Sequence, residues 1–240
     1  MSDNIRVFES SEELFENAAA SIINLANGFI NINGKCTFVL SGGNTPKNLY
    51  NLLSSVKYKN SVNWQKVFFF WGDERDIPPD SKDSNYKMVY DNLLSKLDIP
   101  HENIFRIKTE LGHREAANDY EKRLREFFPE VMFPSFDIVL LGLGEDGHTA
   151  SLFPGSLALN ESEKWVVDNY IEKLKAWRIT LTFPVLNNAK NVIFLISGKE
   201  KAKAVRAVLR DKDISKPATL IKPKSGNLIW YLEKNMERLV

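Results

Sequence analysis

Apolar positions along the chain fall into two alternating patterns. Short, nearly continuous runs at residues 5–8, 36–40, 67–71, 136–141 and 191–196 have the length and the β-branched or aromatic content of strands. The run at 67–71, VFFFW, is apolar throughout, as expected of a strand buried on both faces. Between the runs, apolar residues recur every three or four positions. Leu14, Ala18, Ile22 and Leu25, with Phe15 and Ile23 beside them, predict a helix reaching about Phe29. Ser10 or Ser11 is placed to cap it, and Glu12 and Glu13 lie in its positive first turn. Leu49, Leu52 and Leu53 predict a second helix, whose first turn holds Pro46. Met88, Val89, Leu93, Leu94 and Leu97 predict a third over 85–97, capped by Asp83 or Ser84. Ala116, Ala117, Tyr120, Leu124 and Phe127 predict a fourth within 109–128. Weaker patterns suggest short strands near 104–107, 164–167, 178–183 and 218–221. Short helices are expected at 184–189 and 202–209, and a last helix at 230–239.

Strands alternating with helices imply a mostly parallel sheet covered on both faces, an α/β fold. No repeat, low-complexity tract or linker interrupts the pattern, so residues 1–240 are expected to form one domain. In a parallel sheet all strand carboxyl ends share one edge, where ligands bind at a switch in strand order. Four strands end in suggestive loops: SGGNTP (41–46), GDER (72–75), GLGEDGH (142–148) and SGKEK (197–201). Together they would pool backbone N–H donors, carboxylates, Arg75, Lys199 or Lys201, and His148. Basic groups beside a backbone nest suit a phosphorylated small molecule, and a histidine suits proton transfer. Thr149 and Ser151 read as a helix-capping pair after the third loop. His101 and His113 read as surface and structural residues.

GLGEDG also fits the dinucleotide pattern GxGxxG, but the long apolar helix that should follow is absent, and Pro154 comes soon after His148. No strand with a terminal acid stands about 20 residues on, where a ribose partner is expected.

Composition narrows the field. The 240 residues are 43 % hydrophobic, enough for a large core, with 32 Lys and Arg against 31 Asp and Glu. The formal net charge of +1 argues against a general nucleic-acid binder. The one cysteine, Cys36, lies in an apolar run and reads as a buried thiol. The start, MSDNIRVFES, lacks a signal-peptide pattern, and no apolar run approaches the ~20 residues of a membrane span, so a soluble cytoplasmic protein is expected.

The motifs SGGNTP, GDERDIPPDSKDSN (72–85) and LGLGEDGHTASLFPGS (141–156), in this order, resemble those of the 6-phosphogluconolactonase family. RITLTFPVLNNAKNVIFLISGKEKA (178–202) and SGNLIWYLE (225–233) extend the resemblance over nearly the whole chain. One departure is Glu233, where the family pattern leads one to expect Asp. The resemblance implies a three-layer, Rossmann-like α/β/α fold related to glucosamine-6-phosphate isomerase/deaminase, ribose-5-phosphate isomerase and the coenzyme A transferases. It further implies hydrolysis of 6-phospho-D-glucono-1,5-lactone to 6-phosphogluconate, the second step of the oxidative pentose phosphate pathway. No metal or organic cofactor is implied. The expected partner is the sugar-phosphate lactone, with no nucleic acid and no membrane, and the chain acting as a monomer or homodimer.

The residues fit that chemistry. His148 is the expected base for water attack on the lactone carbonyl, with Asp146 orienting it. Backbone N–H groups at Gly42 and Gly43, or at Gly144, are candidate oxyanion donors. Arg75 and Lys201, with Arg178 third, are expected at the phosphate, and Ser41 and Thr45 can add hydroxyl contacts. Asp73 belongs to the same substrate-binding set. In a rival isomerase or deaminase reading it would serve as the carboxylate base. A second rival, from another class, is a sugar-phosphate sensor that binds without turnover. No GxSxG elbow supports a nucleophilic serine.

Overall fold

A computed structural model describes residues 4–234. Seven strands make the central sheet: β1 (Asn4–Phe8), β2 (Cys36–Leu40), β3 (Val67–Trp71), β5 (Ile104–Phe105), β6 (Ile138–Leu141), β9 (Asn191–Ile196) and β10 (Asn227–Glu233). Their spatial order is β1-β10-β9-β6-β2-β3-β5, and every neighbouring pair is parallel. Three further strands, β4 (Asp73–Arg75), β7 (Val166–Ile171) and β8 (Ala176–Leu181), form a small antiparallel sheet in the order β4-β8-β7.

Burial explains the strand composition. All residues of β2, β6 and β9 are buried, so their continuous apolar runs meet helices or loops on both faces. Cys36 lies within this core, fully buried. The helices are α1 (Ser11–Asn33), α2 (Asn44–Leu53), α3 (Asn85–Asn92), α4 (His113–Phe127), α5 (Phe183–Leu186) and α6 (Ala202–Val205), the last running into a π-helical turn at Arg206–Arg210. Ser10 caps α1 by accepting from the Glu13 N–H, and Ser84 caps α3 by accepting from the Lys87 N–H. α1 presents Leu14, Ala18, Ile22 and Ile23 to the core, as its spacing predicts, and runs on past Phe29 to Gly34. That residue closes it in the left-handed conformation. Among the described residues, no helix is long and apolar enough to cross a membrane.

Chain order and strand order together locate the switch point. From β2 the chain moves outward to β3 and β5. It then returns to the other side of β2 as β6 and moves the opposite way to β9 and β10. The loops after β2 and β6 therefore flank the crevice where the direction of winding reverses, and those after β3 and β9 lie on either side.

Four expectations fail. The predicted last helix, 230–239, begins within β10, whose apolar residues 229–232 pair with β1 and β9. Residues 235–239 lie outside the described region. The expected strand at 218–221 is a 3-10 turn, Pro217–Leu220, opened by Pro217. The stretch after β6 is not helical. It forms turns and the 3-10 segment Leu157–Asn160, then enters β7, so Thr149 and Ser151 cap no helix. Finally, GDER is not a free loop, because Asp73–Arg75 forms β4 and pairs with β8.

Candidate active site

At the carboxyl edge of the sheet lies a cavity of about 570 Å³, lined by the loops after β2, β3, β6 and β9 and by the tip of the β7–β8 hairpin. The loop after β6 is tightly wound. The Gly144 N–H donates to the His148 carbonyl at 2.8 Å, and the Gly147 N–H donates to the Gly144 carbonyl at 3.0 Å. Gly147 has φ +86°, a conformation that favours glycine, and a Cβ on Gly144 would lie 2.0 Å from His148 Nδ1. These two glycines allow the loop to fold back with the imidazole against its own backbone. Since the Gly144 N–H is spent on this turn, it is not an oxyanion donor, and of the expected donors only Gly42 and Gly43 stay candidates.

His148 is held on two sides. Its Nδ1 lies 2.5 Å from Asp146 Oδ1, and its ring stacks on Phe153 at 4.0 Å and 20°. The second carboxylate oxygen of Asp146 accepts from Lys173 Nζ on the hairpin tip. Burial on its own would raise the Asp146 carboxyl, but the hydrogen bonds from Lys173 and His148 outweigh it and hold the group well below the usual carboxylate range. An ionised carboxylate only accepts, so the hydrogen between the two groups sits on His148 Nδ1 and leaves Nε2 as the basic nitrogen.

Behind the histidine lies a buried polar network. Thr149 Oγ1 donates to the Gly142 carbonyl at 2.8 Å, and Ser151 Oγ donates to Asp73 Oδ2 at 2.6 Å. Asn85 Nδ2 donates to the Asp73 carbonyl at 2.9 Å. Glu74 faces away from the cavity and caps α3. Its carboxylate accepts from the N–H groups of Arg75, Asn85 and Tyr86 and from Ser84 Oγ, at 2.7–3.0 Å. Of the two acids in GDER, Asp73 lines the cavity and Glu74 supports the loop.

The cationic side is built from two sheets. Arg75 on β4 and Arg178 on β8 are register partners, and both line the cavity. Partial burial, together with the charge of Arg75, pulls the Arg178 guanidinium below its ordinary value. Like charges directly opposite in a sheet are unfavourable, and an anion between them would relieve the strain. Lys201 lines the cavity from the loop after β9. Glu233 secures that loop by accepting from Ser197 Oγ at 2.9 Å and from the Gly198 N–H at 3.2 Å.

The cavity thus brings together Ser41, Gly42, Gly43, Asp73, Arg75, Asp146, His148, Arg178 and Lys201. Thr45 sits in the first turn of α2 and does not line it. Sequence reasoning missed Lys173, Phe153, Asn85 and Ser151 as parts of this site. Phe153 and Ser151 lie in the histidine motif itself, and Asn85 closes the motif that begins with GDER, so those signals were available. Nothing in the spacing pointed to Lys173. Among the described residues, no group of three or more His, Cys, Asp or Glu is placed to hold a metal ion.

The seven-stranded parallel sheet with flanking helices makes this a three-layer α/β/α fold, and solved structures share it. 6-Phosphogluconolactonase from Trypanosoma brucei superposes with a TM-score of 0.88 at 32 % identity, covering 100 % of this chain and 99 % of that one. Residues 9–230 match the family model for glucosamine-6-phosphate isomerases/6-phosphogluconolactonase. The chain is 39 % identical to 6-phosphogluconolactonase 3, chloroplastic, of Arabidopsis thaliana, over 96 % of this chain and 73 % of the relative. It is 37 % identical to the 6-phosphogluconolactonase of Synechocystis, over 98 % and 97 % of the two chains. The chain belongs to the glucosamine-6-phosphate isomerase/6-phosphogluconolactonase family.

Proposed function

We propose that this enzyme hydrolyses 6-phospho-D-glucono-1,5-lactone to 6-phosphogluconate, with His148 as the general base. The observation that carries the reading is the Asp146–His148 pair, with Nε2 left basic, in a cavity that also holds the opposed Arg75 and Arg178. The names of the relatives supply the substrate. A δ-lactone is an activated ester, so its hydrolysis needs a positioned water, a base and charge stabilisation. Nε2 takes a proton as the water attacks C1, and the imidazolium formed is stabilised by Asp146. The N–H groups of Gly42 and Gly43, two residues of the cavity wall, serve as the donors to the developing oxyanion. Collapse of the tetrahedral intermediate breaks the bond from C1 to the ring oxygen, and that oxygen takes the proton back from Nε2. The products are the C5 hydroxyl and a carboxylic acid, which releases its remaining proton to solvent as the carboxylate. Arg75, Arg178 and Lys201 hold the phosphate at a distance from the reacting carbon, so their energy goes mainly into binding and orientation.

The test is a lactonase assay on freshly prepared 6-phosphogluconolactone, corrected for spontaneous ring opening, with glucosamine 6-phosphate run in parallel. Turnover of the lactone above the uncatalysed rate, and none of the amino sugar, is expected. Activity on the amino sugar alone would replace this reading with the isomerase or deaminase one, in which Asp73 is the base. Binding of the lactone without turnover would make the protein a sensor.

A further inference from the structure

Lys173 lies at the tip of the β7–β8 hairpin, distant in sequence from the histidine loop. It touches both groups that flank the imidazole. Its ammonium donates to the outer oxygen of Asp146, whose inner oxygen holds His148 Nδ1, and it lies 5.8 Å from the centre of the Phe153 ring, which stacks on the other side of His148. We propose that Lys173 is a positioning residue, which clamps Asp146 and Phe153 around His148 and makes the geometry of the base depend on the docked hairpin tip.

Three features support this. A carboxylate with only one oxygen engaged is free to rotate about its terminal torsion, which is broad and roughly two-fold. Engaging the second oxygen fixes the plane in which Oδ1 meets Nδ1–H. The lysine side chain is 60 % exposed, so the ion pair contributes little to stability, and its conformational value lies in what it orients. Lys173 and Leu174 also line the cavity, so the clamp belongs to the segment that walls the site. The tip is set by Lys175, which adopts the left-handed conformation at φ +46° where the chain enters β8. This fixes where Lys173 leaves the hairpin.

The inference rests on His148 as base, so the experiment has one arm for each claim. Lys173→Met keeps the length and removes the charge, and Lys173→Arg restores it. For Lys173→Met we expect kcat to fall about 10-fold, the scale of a misoriented base, with KM changed less than about twofold. Lys173→Arg should recover most of the loss, and the melting temperature should stay unchanged in both. Long-range 15N–1H NMR of the imidazoles reads orientation without turnover. In the parent protein His148 should show one tautomer, protonated at Nδ1, and in Lys173→Met its ring signals should shift or broaden. His113, whose Nδ1 lies 2.6 Å from Asp168, serves as an internal control that should not change. Unchanged kcat with unchanged His148 signals would overturn the proposal. So would a loss falling wholly in KM, which would make Lys173 a substrate ligand. If His148→Ala kept its turnover, the base assignment would fail, and the NMR arm would still decide whether Lys173 orients the ring.

Discussion

Arg75 and Arg178 face each other across β4 and β8, one carried by the short strand that follows β3 and the other by the hairpin that follows the histidine loop. Two guanidinium groups in register, lining one cavity, form a site whose self-repulsion a dianion would relieve. For Arg178→Met we expect KM for the lactone to rise at least about 10-fold, the worth of one charge-assisted contact, with kcat changed less than about threefold. Arg75→Ala should behave the same way. An unchanged KM in steady-state kinetics would remove the pair from substrate contact.

Ser151 and Asp73 join the histidine loop to β4 through a hydrogen bond of 2.6 Å, and both residues are buried. Ser151→Ala leaves Asp73 Oδ2 without that donor. The expected loss in stability is about 1–3 kcal/mol, the usual cost of stranding a buried polar partner. Urea denaturation measures it. A midpoint equal to the parent's would show that Asp73 finds other partners in the cavity.

Glu74 gives a pH test of the frame around the site. Burial raises its carboxyl above the ordinary 4.5, and the N–H groups of Asn85, Tyr86 and Arg75 only partly offset that. An acid whose folded value is raised binds its proton more tightly in the folded state. Its contribution to stability is full below the unfolded value and is lost as pH rises through the folded one. The stability advantage of the parent over Glu74→Gln should therefore shrink from about pH 4 towards neutrality. Denaturation midpoints across that range measure it, and a gap that widens with pH would contradict the assignment.

Much of this site is legible in the sequence. Continuous apolar runs ending in SGGN, GDER and GLGEDGH mark strands whose carboxyl ends must share an edge, and His148 stands out at a glycine turn. Where pattern and structure differ, one local pattern fits two structures. Residues 229–232 are apolar enough for helix or strand, and only pairing with β1 and β9 decides between them. Thr149 and Ser151 suit a helix cap by type, yet their hydroxyls bind Gly142 and Asp73, partners set by tertiary structure. Lys173 was hidden for the same reason. It is one of many surface lysines until the hairpin brings it to Asp146.

The central claim, that His148 is the base, is tested most directly by the kcat of His148→Ala on fresh 6-phosphogluconolactone, with spontaneous opening subtracted and folding checked by circular dichroism. Loss of the base should lower kcat at least about 10²-fold while KM stays close to that of the parent. Near-parental turnover by the folded variant would contradict the account and move the proton transfer to another group in the cavity.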